Sequence, residues 1–345
     1  MRTNLGKGAP CWRIALSLAL FGVVAALAGC AGAAGDSVTS ASVATPRTAV
    51  RIATLKGPTG VGMVHLMQSQ ADGIAANDYS FGVTESPEEV VARIASGEVD
   101  IAAVPTNLAA VLYAKTSGAI RMLAVNTLGV LYIVTDQASV TSIADLKGRT
   151  VYASGQGSNP EYVLRFLLQK NGLDPDTDVH LVWKSEHDEV ATLVASGRAS
   201  IALLPEPFVT AVTLKNPTLS ATLDLTSEWA KVVSDGSQLM MGGVIARAAF
   251  VQEHPDAVRT FLAEYATSIE AAKSDAETTS ALCERFGIIP SAAVAKQALP
   301  RLNLTFLTGE EMKAGLRGYF QVLYDANPTS LGGALPDSGF YDTTR

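Results

Sequence analysis

Two glycine-rich segments combine turn residues with uncharged hydrogen-bonding side chains, and each connects an apolar strand pattern to a helix pattern. Helix N-termini present backbone N–H groups that have no intrahelical acceptor, and the helix dipole adds positive potential there. Glycine lets a ligand approach the main chain, so each segment could bind an anion or a carbonyl oxygen. Alternatively, both are only turns and caps. The ligand contacts predicted here are Gly57, Pro58, Thr59, Gly60, Gln156, Gly157, Ser158 and Asn159.

Polar residues also follow two further strand patterns. Thr106 and Asn107 come directly after one of them and Glu206 directly after the other, so these three are predicted as additional ligand contacts. Glu206 could accept a hydrogen bond from a cationic or N–H-bearing ligand, but a salt bridge between lobes or a helix cap would explain it equally well. A carboxylate also repels the anions that helix N-termini favour. Lys56 is the only basic residue in these loops, which leaves the substrate open.

Motifs of nucleophilic, nucleotide-dependent and zinc chemistry are absent from the sequence, which has no GxSxG elbow, Walker P-loop or paired-cysteine pattern. Residues 155–160 begin like a dinucleotide-binding GxGxxG but have proline at the sixth position. His187, Asp188 and Glu189 are consecutive on a predicted helix, so their side chains point in different directions. We therefore expect a protein that is not an enzyme, with no catalytic residue, metal site or cofactor.

An internal duplication predicts the secondary structure on either side of these loops. Residues 88–105 read EEVVARIASGEVDIAAVP and residues 188–205 read DEVATLVASGRASIALLP, an ungapped match at an offset of 100 residues. Each copy predicts an amphipathic helix that ends at Gly97 or Gly197, followed by a short buried strand that ends at proline.

The segments upstream of the two copies repeat more loosely, and each half reads strand, glycine-rich turn, helix, strand, helix, strand. This order predicts α/β lobes, each a mainly parallel sheet flanked by helices, with ligands beyond the carboxyl ends of the strands. Strand patterns near 128–135 and 238–246 would carry the chain out of the first lobe and back. We predict a first lobe of residues 49–130 and 245–345, hinged to a second lobe of residues 131–244.

The order of RIATLKGPTGVG, SGEVDIAAVPTN, SIADLKGRTVYASGQGSN, SGRASIALLPEPF and QLMMGGVIAR resembles the solute-binding proteins of ABC importers. Within these, it is similar to the nitrate, sulfonate, taurine and thiamine-precursor group, which has the type II periplasmic-binding fold. The resemblance implies a hinged clamp that closes on one small solute and delivers it to a permease and its ATPase.

Two other functions are compatible with the same fold. One branch that resembles this family makes a thiamine pyrimidine precursor with pyridoxal phosphate, although that chemistry is cytoplasmic. A structural or signalling lipoprotein that has lost its ligand is the second alternative.

The N-terminus has the pattern of an export signal. A basic start precedes an apolar run, Ile14 to Leu27, that is short for a membrane span. The run closes on Leu27-Ala28-Gly29-Cys30, which resembles the bacterial lipobox. We predict a signal peptide of residues 1–29, a lipid on Cys30 and a flexible tether of residues 30–48. An ordinary signal peptide is the alternative.

Composition limits the partners of the mature chain. Removing residues 1–29 deletes three basic residues, so the formal net charge changes from −7 to −10. An acidic surface argues against nucleic acid as a partner. Cys283 is the only cysteine left besides Cys30, so no intrachain disulfide is expected. We expect a monomer that is anchored by lipid on the extracytoplasmic face of the cell membrane.

Overall fold

The computed structural model describes residues 47–344 with the exception of Ala138. The predicted signal peptide, Cys30 and nearly all of the predicted tether lie outside the described residues. Within the described part, no helix has the length and apolar character that crossing a bilayer requires.

The first half of this region alternates strands and helices, as the sequence predicted. Pro87 at the first helical position and Ser86, whose side chain accepts a hydrogen bond from the Glu89 N–H, start the helix of the first repeat copy. The elements are β1 (Ala49–Leu55), α1 (Pro58–Val61), α2 (Val64–Ala71), β2 (Asp78–Thr84), α3 (Pro87–Ala95), β3 (Ile101–Pro105), α4 (Thr106–Lys115) and β4 (Ile120–Thr127).

The second half repeats this order. One additional strand opens it, and the helix of the second repeat copy again ends just before a glycine of positive φ, Gly197. Its elements are β5 (Leu131–Thr135), β6 (Thr150–Ser154), α5 (Asn159–Lys170), β7 (His180–Lys184), α6 (His187–Ala195), β8 (Ile201–Pro205), α7 (Phe208–Lys215), β9 (Ser220–Asp224) and α8 (Leu225–Val232).

The C-terminal third is mostly helical. It contains β10 (Gly242–Arg247), α9 (Ala248–Glu253), α10 (Pro255–Ser274), α11 (Ala276–Arg285), α12 (Ala292–Ala298), β11 (Leu304–Leu307) and α13 (Gly309–Ala326). Short 3₁₀ turns cover Ile143–Leu146, Leu299–Arg301, Pro328–Leu331 and Ser338–Phe340.

Two sheets form the centres of two lobes. The first sheet has the order β11-β4-β10-β3-β1-β2 and the second the order β7-β6-β8-β5-β9. In each sheet four strands run in one direction, and the strand that arrives from the other lobe, β10 or β5, lies antiparallel between two of them. The prediction of mainly parallel sheets is confirmed. The exchanged strand has the same place in both sheets, because the order β4-β10-β3-β1-β2 corresponds to β9-β5-β8-β6-β7.

The ends of the connecting strands differ from the prediction. The strand predicted to begin at Leu128 begins at Leu131, and the returning strand begins at Gly242 and pairs only within the first sheet. The first sheet therefore starts a few residues before the predicted return at 245. Neighbours leave little room in the returning strand, since a Cβ on Gly243 would lie 2.9 Å from Met122 Sδ and 3.0 Å from the Ala124 carbonyl oxygen.

The hydrophobic core has three parts. One face of the first sheet packs against the C-terminal helices through Phe261, Tyr265 and Ile269, which are fully buried. A smaller cluster lies between the second sheet and α6 and α7. The third part includes strands of both sheets together with Trp229 and Tyr319, so apolar packing is continuous from lobe to lobe.

Candidate functional site

A cavity of about 440 Å³ lies between the two lobes. Its wall includes the last residue, or the residue after it, of seven strands that run parallel within their own sheets, β1 to β4 and β6 to β8. This is where the carboxyl ends of parallel strands place ligands in α/β folds. The strand-end residues are Leu55, Glu85, Pro105 and Thr127 in the first lobe and Ser154, Lys184 and Pro205 in the second.

Both glycine-rich segments reach this cavity, but only through some of their predicted contacts. Thr59 and Asn159, equivalent at the 100-residue offset, lie on opposite lobes. Their backbone N–H groups make no hydrogen bond within the part of the chain that the structure describes, so both can donate a hydrogen bond to an acceptor on a ligand. The predicted residues that line the cavity are Pro58, Thr59, Gln156, Ser158 and Asn159.

The structure does not bring the predicted glycines to the cavity wall. Gly57 and Gly157 have φ values of 81° and 76°, which glycine adopts readily. Their N–H groups are occupied, because Gly57 donates to the Ile288 carbonyl oxygen and Gly157 to the Glu161 carboxylate. Gly60 is needed for packing, since a Cβ there would lie 2.2 Å from the Leu55 carbonyl oxygen. These glycines shape the turns that present their neighbours.

Thr106 and Asn107 are fully buried and connect the lobes by hydrogen bonds. Thr106 Oγ1 donates to the Met240 carbonyl oxygen and accepts a 3.2 Å hydrogen bond from Asn159 Nδ2. Asn107 Nδ2 lies 3.3 Å from the carbonyl oxygen of Gly157, which belongs to the second lobe. Neither residue lines the cavity.

Asn159 links three parts of the fold. Besides its contact with Thr106, its Nδ2 donates to the Met241 carbonyl oxygen at 2.7 Å, and its Oδ1 accepts from the Tyr319 hydroxyl at 3.0 Å. The side chain is therefore engaged in fixing helix α5 against the first lobe and helix α13.

Glu206 lies outside the cavity wall and makes an ion pair instead. Its carboxylate is fully buried, with Arg301 Nη2 at 2.6 Å and the Thr210 hydroxyl at 2.8 Å. Because Arg301 lies just before β11 of the first sheet and Glu206 just after β8 of the second, the pair bridges the two lobes. This is the salt-bridge alternative for Glu206 rather than the ligand contact.

Several cavity residues were not predicted, and most follow β2 or β7. Glu85 and Glu88 project from the first lobe, whereas Trp183, Glu186 and His187 come from the second. The equivalence of these two loops in the duplicated order was the signal that could have identified them.

The His187 imidazole is held by two neighbours. Its Nδ1 lies 2.5 Å from the Ser154 hydroxyl, and its ring centre is 5.3 Å from that of Phe208. Desolvation lowers the pKa of His187 to about 4, so the ring is neutral near pH 7. Nε2 has no partner within the described residues.

The cavity carries an excess of carboxylates. Lys56 Nζ lies 2.5 Å from Glu85 and Lys184 Nζ lies 2.9 Å from Glu189, so each lysine is neutralised within its own lobe. Burial, Glu85, Glu88 and Asp188 together raise the pKa of Glu186. Within the described residues, no group of histidine, cysteine, aspartate and glutamate has the arrangement of a metal site.

Two sheets with exchanged strands and a cavity between them define a type II periplasmic-binding fold. Residues 70–297, more than half of the chain, match the family model described as "ABC transporter, phosphonate, periplasmic substrate-binding protein". The chain belongs to this family and is the periplasmic substrate-binding component of an ABC importer. The resemblance to ABC solute-binding proteins is thereby confirmed.

Solved structures share the fold at low identity. An ABC transporter protein from Parabacteroides distasonis has a TM-score of 0.72 at 22% identity, covering 86% of this chain and 100% of that chain. The aliphatic sulphonate-binding protein SsuA from Escherichia coli has a TM-score of 0.66 at 18% identity, with coverages of 83% and 89%. The nitrate-binding protein NrtA from Synechocystis has a TM-score of 0.55 at 13% identity, with coverages of 69% and 66%. Curated protein sequences give no match.

Proposed function

We propose that this chain captures one small solute in the cavity between its lobes and delivers it to the permease and ATPase of an ABC importer. The observation that carries the proposal is the cavity itself, which is lined by equivalent loops of the duplicated halves. Its volume of about 440 Å³ is within the range of small-molecule sites. Two of the proteins with similar structures are described as binding an aliphatic sulphonate and nitrate, which supports a small solute without fixing its class.

Capture would proceed by rotation of the lobes about the two chain segments that connect them, residues 128–130 and 233–241. The lobe-bridging contacts lie beside these segments. Asn159 bonds to Met241, and the Glu206 N–H donates to the Val130 carbonyl oxygen at 2.9 Å. Contacts so close to a rotation axis can persist while the cavity mouth opens and closes.

Lipid on Cys30 would hold this clamp at the membrane, and the tether of residues 30–48 would keep it near its permease as a monomer. A tether of this kind raises the effective concentration of the protein at the permease without any new contact.

Native mass spectrometry of freshly purified protein tests the proposal. We expect a defined mass above that of the polypeptide, which is lost on denaturation and recovered as a small molecule. A protein that carries no solute, and shows no thermal shift with extracts of small molecules, would contradict it.

A further inference from the structure

No cationic side chain of the cavity lacks a partner within the described residues. The Glu186 carboxylate makes no hydrogen bond or ion pair within the described residues, although its side chain is partly buried. The Gln156 amide and the Nε2 atom of His187 are also without partners in that part of the chain. A bound solute would therefore meet one free carboxylate, one amide and one neutral imidazole, besides the hydroxyls of Thr59, Ser158 and Ser185, which also make no hydrogen bond in that part of the chain.

Both lysines that line the cavity are already paired with carboxylates. Lys56 is paired with Glu85 and Lys184 with Glu189, and no arginine is among the described residues that line the cavity. An anionic solute would have to compete with an existing carboxylate for either lysine. It would also approach Glu88 and Glu186, which face the cavity from opposite lobes.

The remaining surface suits an uncharged part of a solute. The rings of Trp183 and Phe208 provide apolar faces, and His187 packs beside Phe208. The free N–H groups of Thr59 and Asn159 can donate to a carbonyl or similar acceptor, which needs no net negative charge.

We propose that the solute presents an ammonium group or N–H donors to Glu186 and carries no uncompensated negative charge. This inference rests on the proposed function and narrows it to one substrate class. It distinguishes this protein from receptors of simple phosphonates, sulfonates or nitrate. Zwitterions that carry an ammonium group belong to the proposed class, whereas plain anions do not.

Charge-fractionated bacterial extracts provide the test. Small molecules are separated at pH 7 into a fraction retained by an anion exchanger, a fraction retained by a cation exchanger and a neutral flow-through. Thermal shift of the solute-free protein is then measured with each fraction. We expect a shift with the cationic or the neutral fraction. A shift confined to the anionic fraction would overturn the substrate class but leave the proposed function standing, whereas no shift with any fraction would contradict both.

Two matched variants locate the interaction. Glu186→Gln removes the free carboxylate, and titration of the active fraction should show an apparent affinity that is weaker by about tenfold. Glu311→Gln removes an exposed carboxylate from the first turn of α13, outside the cavity, and should leave the affinity unchanged. Equal affinities in the two variants would show that Glu186 does not face the solute and would overturn the proposal.

Discussion

His187 is a neutral imidazole enclosed by the Ser154 hydroxyl and the Phe208 ring at the wall of the cavity. Its pKa of about 4 lies below the ordinary value of 6.5, so the unfolded chain binds a proton in this interval and the folded chain does not. The contribution of His187 to stability must therefore decrease as the pH falls from 6.5 towards 4. Glu186 and Asp188, whose pKa values are raised by burial and neighbouring acids, act in the opposite direction as the pH falls.

His187→Asn should remove this contribution because asparagine does not titrate. Between pH 7.5 and pH 4.5 we expect the wild type to lose about 2 kcal/mol more of its free energy of unfolding than the variant does, as measured by urea denaturation. His180→Asn, which replaces an exposed histidine on the neighbouring strand β7, is the control. Parallel curves for wild type and His187→Asn would contradict the enclosed neutral ring.

The contribution of Arg301 to stability, through its ion pair with Glu206, can also be measured by mutation. Arg301→Ala leaves the Glu206 carboxylate buried without its cation, and we expect a loss of about 2–3 kcal/mol in the free energy of unfolding. Adding Glu206→Gln to this variant should recover part of the loss. Arg259→Ala breaks an exposed pair with Asp256 and should cost less than about 1 kcal/mol. Equal losses for the two single variants would exclude a stabilising ion pair between the lobes.

At the scale of elements, helix α5 is attached to the first lobe through its first residue. Asn159 is 1% exposed, so a truncated side chain there cannot be replaced easily by water. Asn159→Ala would leave the buried Tyr319 hydroxyl without its acceptor. It would also remove one of the two hydrogen bonds to the Met241 carbonyl oxygen, which keeps the one from the Thr106 N–H.

The expected loss for Asn159→Ala is about 2–4 kcal/mol, measured by urea denaturation. In a double-mutant cycle with Tyr319→Phe, we expect a coupling energy of about 1 kcal/mol. Asn171→Ala, at the other end of α5, removes only a bond to Leu167 within the same helix and serves as control. Additive effects of Asn159→Ala and Tyr319→Phe would show that the two side chains do not interact.

The repeated elements could be predicted because their signals are local. Helical periodicity, a stopping glycine and a strand that ends at proline are readable within 18 residues, and both copies fold as expected. The two connecting strands were predicted, but their antiparallel pairing in the middle of each sheet could not be, since long-range packing decides the neighbours of β5 and β10. The ligand contacts were also predicted incompletely, because some depend on distant residues. The Gly57 N–H donates to the carbonyl oxygen of Ile288, a partner that no local pattern reveals.

At the scale of the whole molecule, the proposed lipid anchor and the proposed solute binding can be tested separately by mutation. Cys30→Ser should move the protein from the membrane fraction to the soluble extracytoplasmic fraction, because the lipid would have no attachment point. Solute binding by the released protein should be unchanged. Cys283→Ala, which alters a buried cysteine of the folded part, should leave the protein in the membrane fraction. Membrane retention of Cys30→Ser would contradict a lipid anchor at this position.

Binding of the solute in the cavity between the lobes can be tested by filling that cavity with a larger side chain. Gln156 is exposed, lines the cavity and has no side-chain partner within the described residues, so Gln156→Trp should fill the cavity without disturbing the fold. Native mass spectrometry should detect bound solute on the wild type and on Gln252→Trp, a surface control on α9, but not on Gln156→Trp. Undiminished occupancy of a cooperatively folded Gln156→Trp would contradict the assignment of the site.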